Sequence, residues 1–384
     1  MRYIYLTGIL CVLVMCGCLS ATDGLYRIDL EKSLKQTEPI NLSEYCRSIE
    51  YVPIETRTDL LLGQISINNT EYYKGYFYYC EDFGKVTKIF SEDGKLVADK
   101  VGVRGRAEGE YSMATSLRVN FITGEIQIVD QNKILLYDRF ANFKKAIPLR
   151  DSLTRHSGCI YPLGNYFAMR NYSSDERYSL IFIDAKGCVV SVEDKGKKPV
   201  ALNLLRGHGQ LFLSSQYGKL TVLDAFQDTI FTYDENLDKQ VKFIVDYGRY
   251  KMTPKSTGED QFIVFTDILE NDRLALLIAK ANQYGLSFMK KSNKQIYLLY
   301  DKIKGTCRVL PLDKSKKWFS FNNDLDNGLP FHPQMIEGNR MIQFINAIDF
   351  IDMSKTCSSV KVKQIAATLT EESNPVMVVA TLKE

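Results

Sequence analysis

The chain has 384 residues, with 49 basic and 46 acidic side chains and a formal charge of +3. That near balance excludes a global field that would gather nucleic acid or anionic lipid. A 45% hydrophobic and 25% charged composition excludes a disordered chain.

The first residues read as an export signal. Arg2 gives a positive start, and Tyr3–Met15 is an apolar run too short to span a bilayer. It ends in Met15–Cys16–Gly17–Cys18, a small residue directly before a cysteine. The polar stretch that follows reads as a tether, so the expected organisation is a signal over 1–17, a tether over 18–41 and one folded domain over 42–384. Six cysteines lie beyond the signal, namely Cys46, Cys80, Cys159, Cys188, Cys307 and Cys357. They form no CxxC pair, and for most of them buried free thiols are expected.

Strand character dominates the rest: there are 23 tyrosines and 20 phenylalanines against one tryptophan. Ser48–Thr56 is an alternating strand with an edge-like Pro53. A unit then recurs, made of an apolar strand, an acidic or polar residue, a short Gly/Asn turn and a second strand. Its copies are Lys88–Val97, Ile134–Leu149, Leu180–Val192, Thr229–Val245 and Ile296–Leu312, anchored at Ser91, Asp138, Asp184, Asp234 and Asp301. The period is roughly 45–50 residues, with a longer last gap that places an insertion within Met252–Asp272. Further strands precede each copy, at Tyr72–Phe83, Glu125–Gln131, Asn165–Tyr172, Gln210–Gly218 and Arg273–Gly285. The last contains good helix formers, but the repeat phase assigns it to strand. About four strands per unit is the spacing of a β-propeller. Asn374–Leu382 is a strong strand, expected to complete a blade with Ser48–Thr56.

Three places resemble the six-bladed β-propeller lipoproteins of Bacteroides-type bacteria: IEYVPIET followed by LLGQI; FSEDGKLVADKVGVRGRAEGEY; and DLDNGLPFHPQ together with ESNPVMVVATLK. One departure is Ala107–Glu108, where the family carries Gly-Pro. The resemblance implies an all-β, six-bladed propeller of four-stranded antiparallel blades, its ring closed by the terminal strands. It also implies NHL-like binding rather than catalysis. The signal junction resembles a lipobox, which implies a lipid on Cys18 and an outer-membrane address, with the periplasmic face favoured.

Two stretches are candidate ligand sites. In the glycine-rich loop these are Arg104, Arg106, Glu108, Glu110 and Tyr111, since glycines permit close backbone approach; the alternative is a plain inter-blade connection. In the later stretch they are Trp318, Asn322, Asp324, Asp326 and Phe331, since aromatic faces beside amides and carboxylates suit sugars; the alternative is a turn-rich connector. The three histidines, His156, His208 and His332, are far apart in sequence, and no GxSxG elbow occurs. No catalytic residue, cofactor or metal is therefore expected. The expectation is an envelope lipoprotein binding a glycan, a peptide or another envelope protein, and not nucleic acid. A carbohydrate-active hydrolase or lyase, with carboxylates converging at the channel mouth, and a structural subunit of an uptake complex are the alternatives.

Overall fold

A computed structural model of the protein describes residues 25–383, except 64, 66–69, 82–85, 155–158, 171–177, 195–210, 254, 258–259, 282–294 and 314–317. Six four-stranded antiparallel sheets follow one another around an axis, making a six-bladed β-propeller. Blade 1 runs Thr70–Tyr73, Tyr76–Glu81, Val86–Ser91 and Leu96–Ala98 from the axis outwards. Blade 2 holds Ser116–Val119, Ile126–Asp130, Lys133–Tyr137 and Phe143–Pro148, and blade 3 holds Ile160–Leu163, Tyr166–Arg170, Tyr178–Asp184 and Val189–Asp194. Blade 4 holds Leu211–Gln216, Lys219–Asp224, Thr229–Tyr233 and Lys239–Asp246, and blade 5 holds Ile263–Glu270, Leu274–Ala281, Gln295–Asp301 and Thr306–Val309. Leu274–Ala281 is strand despite its helix formers because both of its edges are paired, to Ile263–Glu270 and Gln295–Asp301.

Blade 6 is built from both ends of the chain. Met335–Glu337, Arg340–Ile345 and Val376–Leu382 are its inner three strands, and Cys46–Pro53 is its outer one. The closing register sets Ile49 opposite Ala380 and Tyr51 opposite Val378. Asn374, buried beside this joint, donates to the carbonyls of Glu55 and Leu60 and accepts from Leu62 N at 2.7 Å. Between the second and third strands of this blade sit two helices, Ala347–Ser354 and Val360–Ala366, which the alternating pattern does not announce. They bury Phe350, Met353 and Val362.

The recurring acidic residue has a local cause. Asp138 Oδ1 accepts from Phe140 N and Asn142 N at 2.9 Å, and Asp184 Oδ1 accepts from Lys186 N and Cys188 N at 2.9 Å. Asp234 does the same with Asn236 and Asp238, and Asp301 with Ile303 and Lys304. Each is an Asx turn that folds the hairpin between the third and fourth strands. The period visible in the sequence is thus the period of these turns.

The core lies as walls between blades. Phe77, Tyr79 and Phe90 of blade 1 pack on Ile342, Phe344 and Met377 of blade 6. Val129 and Ile134 of blade 2 meet Phe167, Met169 and Ile181 of blade 3. Each fully buried side chain of this kind stabilises by roughly 1.5–3 kcal/mol.

Residues 25–45, much of the stretch expected as a tether, lie against the propeller. Tyr26–Asp29 pairs in parallel with the outer strand of blade 4, Lys239–Asp246. One helical turn, Leu30–Ser33, follows, capped by Asp29. Gln36 O then accepts from Val309 N of blade 5 at 3.1 Å, and Ile40 O accepts from Asn322 N at 2.9 Å. The segment straps blades 4, 5 and 6 together. Among the described residues Cys46, Cys80, Cys159, Cys188, Cys307 and Cys357 are all free thiols, with Cys46, Cys80 and Cys307 buried.

Asp301 is 2% exposed, so its turn is the most sensitive of the four. Asp301→Ala leaves two main-chain donors without their acceptor and is expected to cost about 1–3 kcal/mol in urea unfolding. Asp301→Asn, which keeps an oxygen, is expected to lose less than half of that.

Candidate functional site

The glycine-rich loop joins blade 1 to blade 2. Its ends, Val103–Arg104 and Glu110–Tyr111, form a small parallel pair. Gly102 and Gly109 have φ of +68° and +80°, and a Cβ at either would lie within 3 Å of the Tyr137 or the Phe143 ring system. Tyr137 Oη donates to Gly109 O at 2.8 Å, and Tyr111 is buried in the wall between the blades. Arg104 Nε donates to Ser112 O at 3.1 Å, and Glu110 Oε2 accepts from Ala107 N at 2.9 Å. Arg104, Arg106 and Glu108 are exposed at this outer connection.

The second stretch fastens the amino-terminal strap. Asp324 accepts from Ser43 N at 2.9 Å and from Ser43 Oγ at 2.5 Å, and Asn322 Nδ2 donates to Asn41 Oδ1 at 2.7 Å. Asp326 gathers four donors: Tyr51 Oη, Asn323 Nδ2, Gly328 N and Ser359 Oγ. Phe331 is fully buried. Trp318 lies in the strand Trp318–Phe319, with its side chain outside the described part. His332 is half-buried, with Nδ1 against Phe319 O; desolvation lowers its pKa. His156, His208 and Cys18 lie outside the described residues.

Neither stretch lines the central channel. The channel is made by the innermost strand of every blade, and it holds a cavity of about 360 Å³. Glu71 projects from blade 1, Arg118 from blade 2, Tyr161 and Arg170 from blade 3, Ser214 and Gln216 from blade 4, Thr266 and Asp267 from blade 5, and Gln334 and Glu337 from blade 6. Innermost strands are sheet edges with unpaired main-chain groups, and these side chains cover them. Ser214 Oγ donates to Ile268 O at 2.9 Å, Gln216 Oε1 accepts from Glu270 N at 2.6 Å, and Arg170 Nη1 donates to Leu211 O.

One end of the channel is blocked. Phe121, in the turn after the inner strand of blade 2, stands 5.2 Å from the Tyr73 ring of blade 1 and 6.0 Å from the Tyr217 ring of blade 4. Blades 2 and 4 are not neighbours, so this contact crosses the axis. Tyr73 Oη donates to Phe121 O at 3.1 Å, and Tyr217 Oη accepts from Gly338 N of blade 6. The result is an aromatic floor tied to several blades, with Phe121 lining the cavity above it.

Charge above the floor is arranged unevenly. Arg118 Nη1 donates to Glu71 Oε1 at 2.7 Å, with side chains 15% and 13% exposed. Burial opposes the guanidinium's charge, but Glu71 holds its pKa above the usual value. Burial also pushes the Glu71 carboxyl up, and Arg118 opposes that shift. Arg118 Cζ lies 5.2 Å from the Tyr161 ring, and its Nε is fully buried without an acceptor. Asp267 accepts from Ile268 N at 2.8 Å, and its carboxyl is pushed up by burial, which Ile268 N, Ser214 and Arg118 offset only in part. A bulge between Phe265 and Asp267 explains its direction. A regular strand alternates faces, whereas here Thr266 and Asp267 both line the cavity.

These residues escape a reading based on local motifs because they are about one blade apart in sequence. Each strand contributes only one or two polar residues among apolar ones, as in TEYY, SLRV, IYPL and VFTDIL. The detectable signal is that one polar position recurs with the blade period.

The two carboxylates are expected to differ on mutation. Glu71→Ala strands the buried Arg118 charge and is expected to cost about 3–5 kcal/mol in chemical unfolding. Asp267→Asn keeps an acceptor for Ile268 N and removes a buried charge, so at neutral pH its Tm is expected to equal or exceed that of the parent. Asp267 has a raised folded-state pKa, so its stabilising contribution is full below the unfolded-state pKa and is lost as pH rises through the folded-state value. The advantage of the Asn variant, followed by thermal unfolding, therefore shrinks as pH falls through that window.

Two solved structures share the architecture. A putative exported protein from Bacteroides fragilis is 14% identical with a TM-score of 0.67, covering 94% of this chain and 99% of its own. A DUF4221 family member from Bacteroides vulgatus is 8% identical with a TM-score of 0.51, covering 91% of this chain and 99% of its own. At such identities the likeness concerns the fold. No curated protein matches the sequence. Residues 25–381 match the family described as a domain of unknown function, DUF4934, and the chain belongs to that family.

Proposed function

We propose that this chain is a non-catalytic binding protein of a bacterial envelope whose central channel takes a small polar ligand of glycan type. The observation that carries this reading is the convergence of polar side chains from all six innermost strands on one blind cavity. Its volume lies at the low end of the roughly 300–1,000 Å³ of small-molecule sites. Hydroxyl groups, each donor and acceptor, suit a lining that offers guanidinium, amide, hydroxyl and carboxylate together. Glu71 is held by Arg118, which favours holding a ligand over cleaving it.

The envelope address rests on Arg2, the apolar run Tyr3–Met15 and the Gly17–Cys18 junction. In this reading a lipid on Cys18 holds the protein to the outer membrane, on its periplasmic face. Among the described residues no helix is long and apolar enough to cross a membrane.

A second reading is favoured by one observation. Glu71 and Asp267 are two carboxylates with upward-shifted pKa values in the same cavity, the elements of a glycan-cleaving pair. Turnover separates the two. The mature chain, screened against mono- and oligosaccharides by thermal shift, is expected to gain about 2.7 kcal/mol at a hundredfold excess over Kd while releasing no product. Product release lost in both Glu71→Gln and Asp267→Asn would establish the enzyme instead. For the address, Cys18→Ser is expected to move the protein from the membrane to the soluble fraction and abolish incorporation of labelled lipid; a variant that stays with membranes sinks the anchor.

A further inference from the structure

We propose that the channel selects an amine-bearing sugar, taken end-on, with its ammonium group on Asp267. This rests on the reading of the channel as a saccharide site and adds the charge and the orientation of the ligand.

The charge follows from what each group in the cavity already holds. The cation acting on Asp267 is Arg118, and Arg118 is engaged by Glu71 at 2.7 Å. The cavity is lined by three carboxylates, Glu71, Asp267 and Glu337, against two guanidiniums, Arg118 and Arg170, so the ionised lining carries one net negative charge, and Asp267 has no ion pair of its own among the described residues. Arg170, the other guanidinium of the cavity, donates to Leu211 O and lies 5.9 Å from the Phe212 ring. A half-buried carboxylate without a counter-ion is costly in proportion to the water it has lost. A neutral hydroxyl offers it a hydrogen bond, whereas an ammonium group offers a hydrogen bond and the missing charge. The bulge that brings Thr266 and Asp267 to the same side is what presents this carboxylate to the cavity.

The orientation follows from the floor. Phe121, Tyr73 and Tyr217 close the axis, so a polymer has no path through the ring and only a terminal unit or a free small molecule enters.

The test uses the mature full-length chain and three ligands of one ring type: glucosamine, N-acetylglucosamine and glucose. Acetylation keeps the ring and removes the charge. Calorimetry is expected to show glucosamine binding on the order of tenfold more tightly than the other two, the scale of one charge-assisted hydrogen bond. Asp267→Asn is expected to erase that preference while keeping binding of the neutral sugars, with its unfolding curve reporting that the variant is folded. Equal binding of all three, or a preference that survives in Asp267→Asn, overturns the amine assignment and leaves the saccharide reading standing. No sugar binding by the parent overturns both. Binding of lysine amide in the absence of glucosamine binding also overturns the proposal, because the amine would then belong to a peptide.

Discussion

A ring of twisted sheets has no natural end, and everything in this molecule depends on how the ring is shut. Cys46–Pro53 is laid against Val376–Leu382 in an antiparallel ladder with one register shift, between Cys46 and Ser48, so the outer strand of blade 6 comes from the opposite end of the chain to its other three. Main-chain hydrogen bonds close the circle, and Asn374 fixes the chain on both sides of the joint. The inter-blade walls are buried only once this is done, because blade 1 packs on blade 6 through Phe77 and Phe344, whose centroids lie 4.7 Å apart. Closure thus couples local hairpins, marginal on their own, to a core that exists only when all six blades are present.

The axis poses the opposite problem. Each blade turns an unpaired strand edge inwards, and six such edges face one another without a shared ladder. Short polar side chains reach across to the neighbouring strand, as Ser214 and Gln216 do to blade 5 and Arg118 does to Glu71. The same residues that satisfy the edges leave a polar hollow. Solving the edge problem and making a binding site are here one arrangement, with Asp267 and Arg118 Nε as the groups that the protein alone does not fully satisfy.

How much of this was legible depends on whether a feature is local. Four of the five hairpins, anchored at Asp138, Asp184, Asp234 and Asp301, announce themselves because an Asx turn needs its acid at one fixed offset, and Ser91 holds the matching place in the first. The sixth was invisible as a hairpin because its strands are cut apart, one at each terminus; what remained readable was that both ends were strand-like. Residues 18–41 read as a polar tether with only a mild strand or helix pattern around Tyr26–Leu34, since Tyr26–Asp29 is four residues with one fully buried side chain, Ile28. The helices in blade 6 are short and set between strong strands. The channel was the least legible part: its residues are single letters in separate strands, and only the ring brings Glu71 near Arg118 and Asp267. The glycine loop stands out in sequence through its tight local turns, and the Asp324–Asp326 turn through polar side chains that fasten the distant Ser43, Tyr51 and Ser359.

The strap across blades 4 to 6 also decides how the molecule responds to force. A pull on the chain ahead of Tyr26 meets the parallel pairing with Lys239–Asp246 first, where four residues share the load in shear. The helical turn and the links to Val309 and Asn322 come next. Only when these are stripped does tension reach Cys46–Pro53 and the seam of the ring. The strap acts as a strain relief, like the clamp on a cable where it enters its housing. A molecule dragged by its amino terminus would surrender its outer fastening well before its closure.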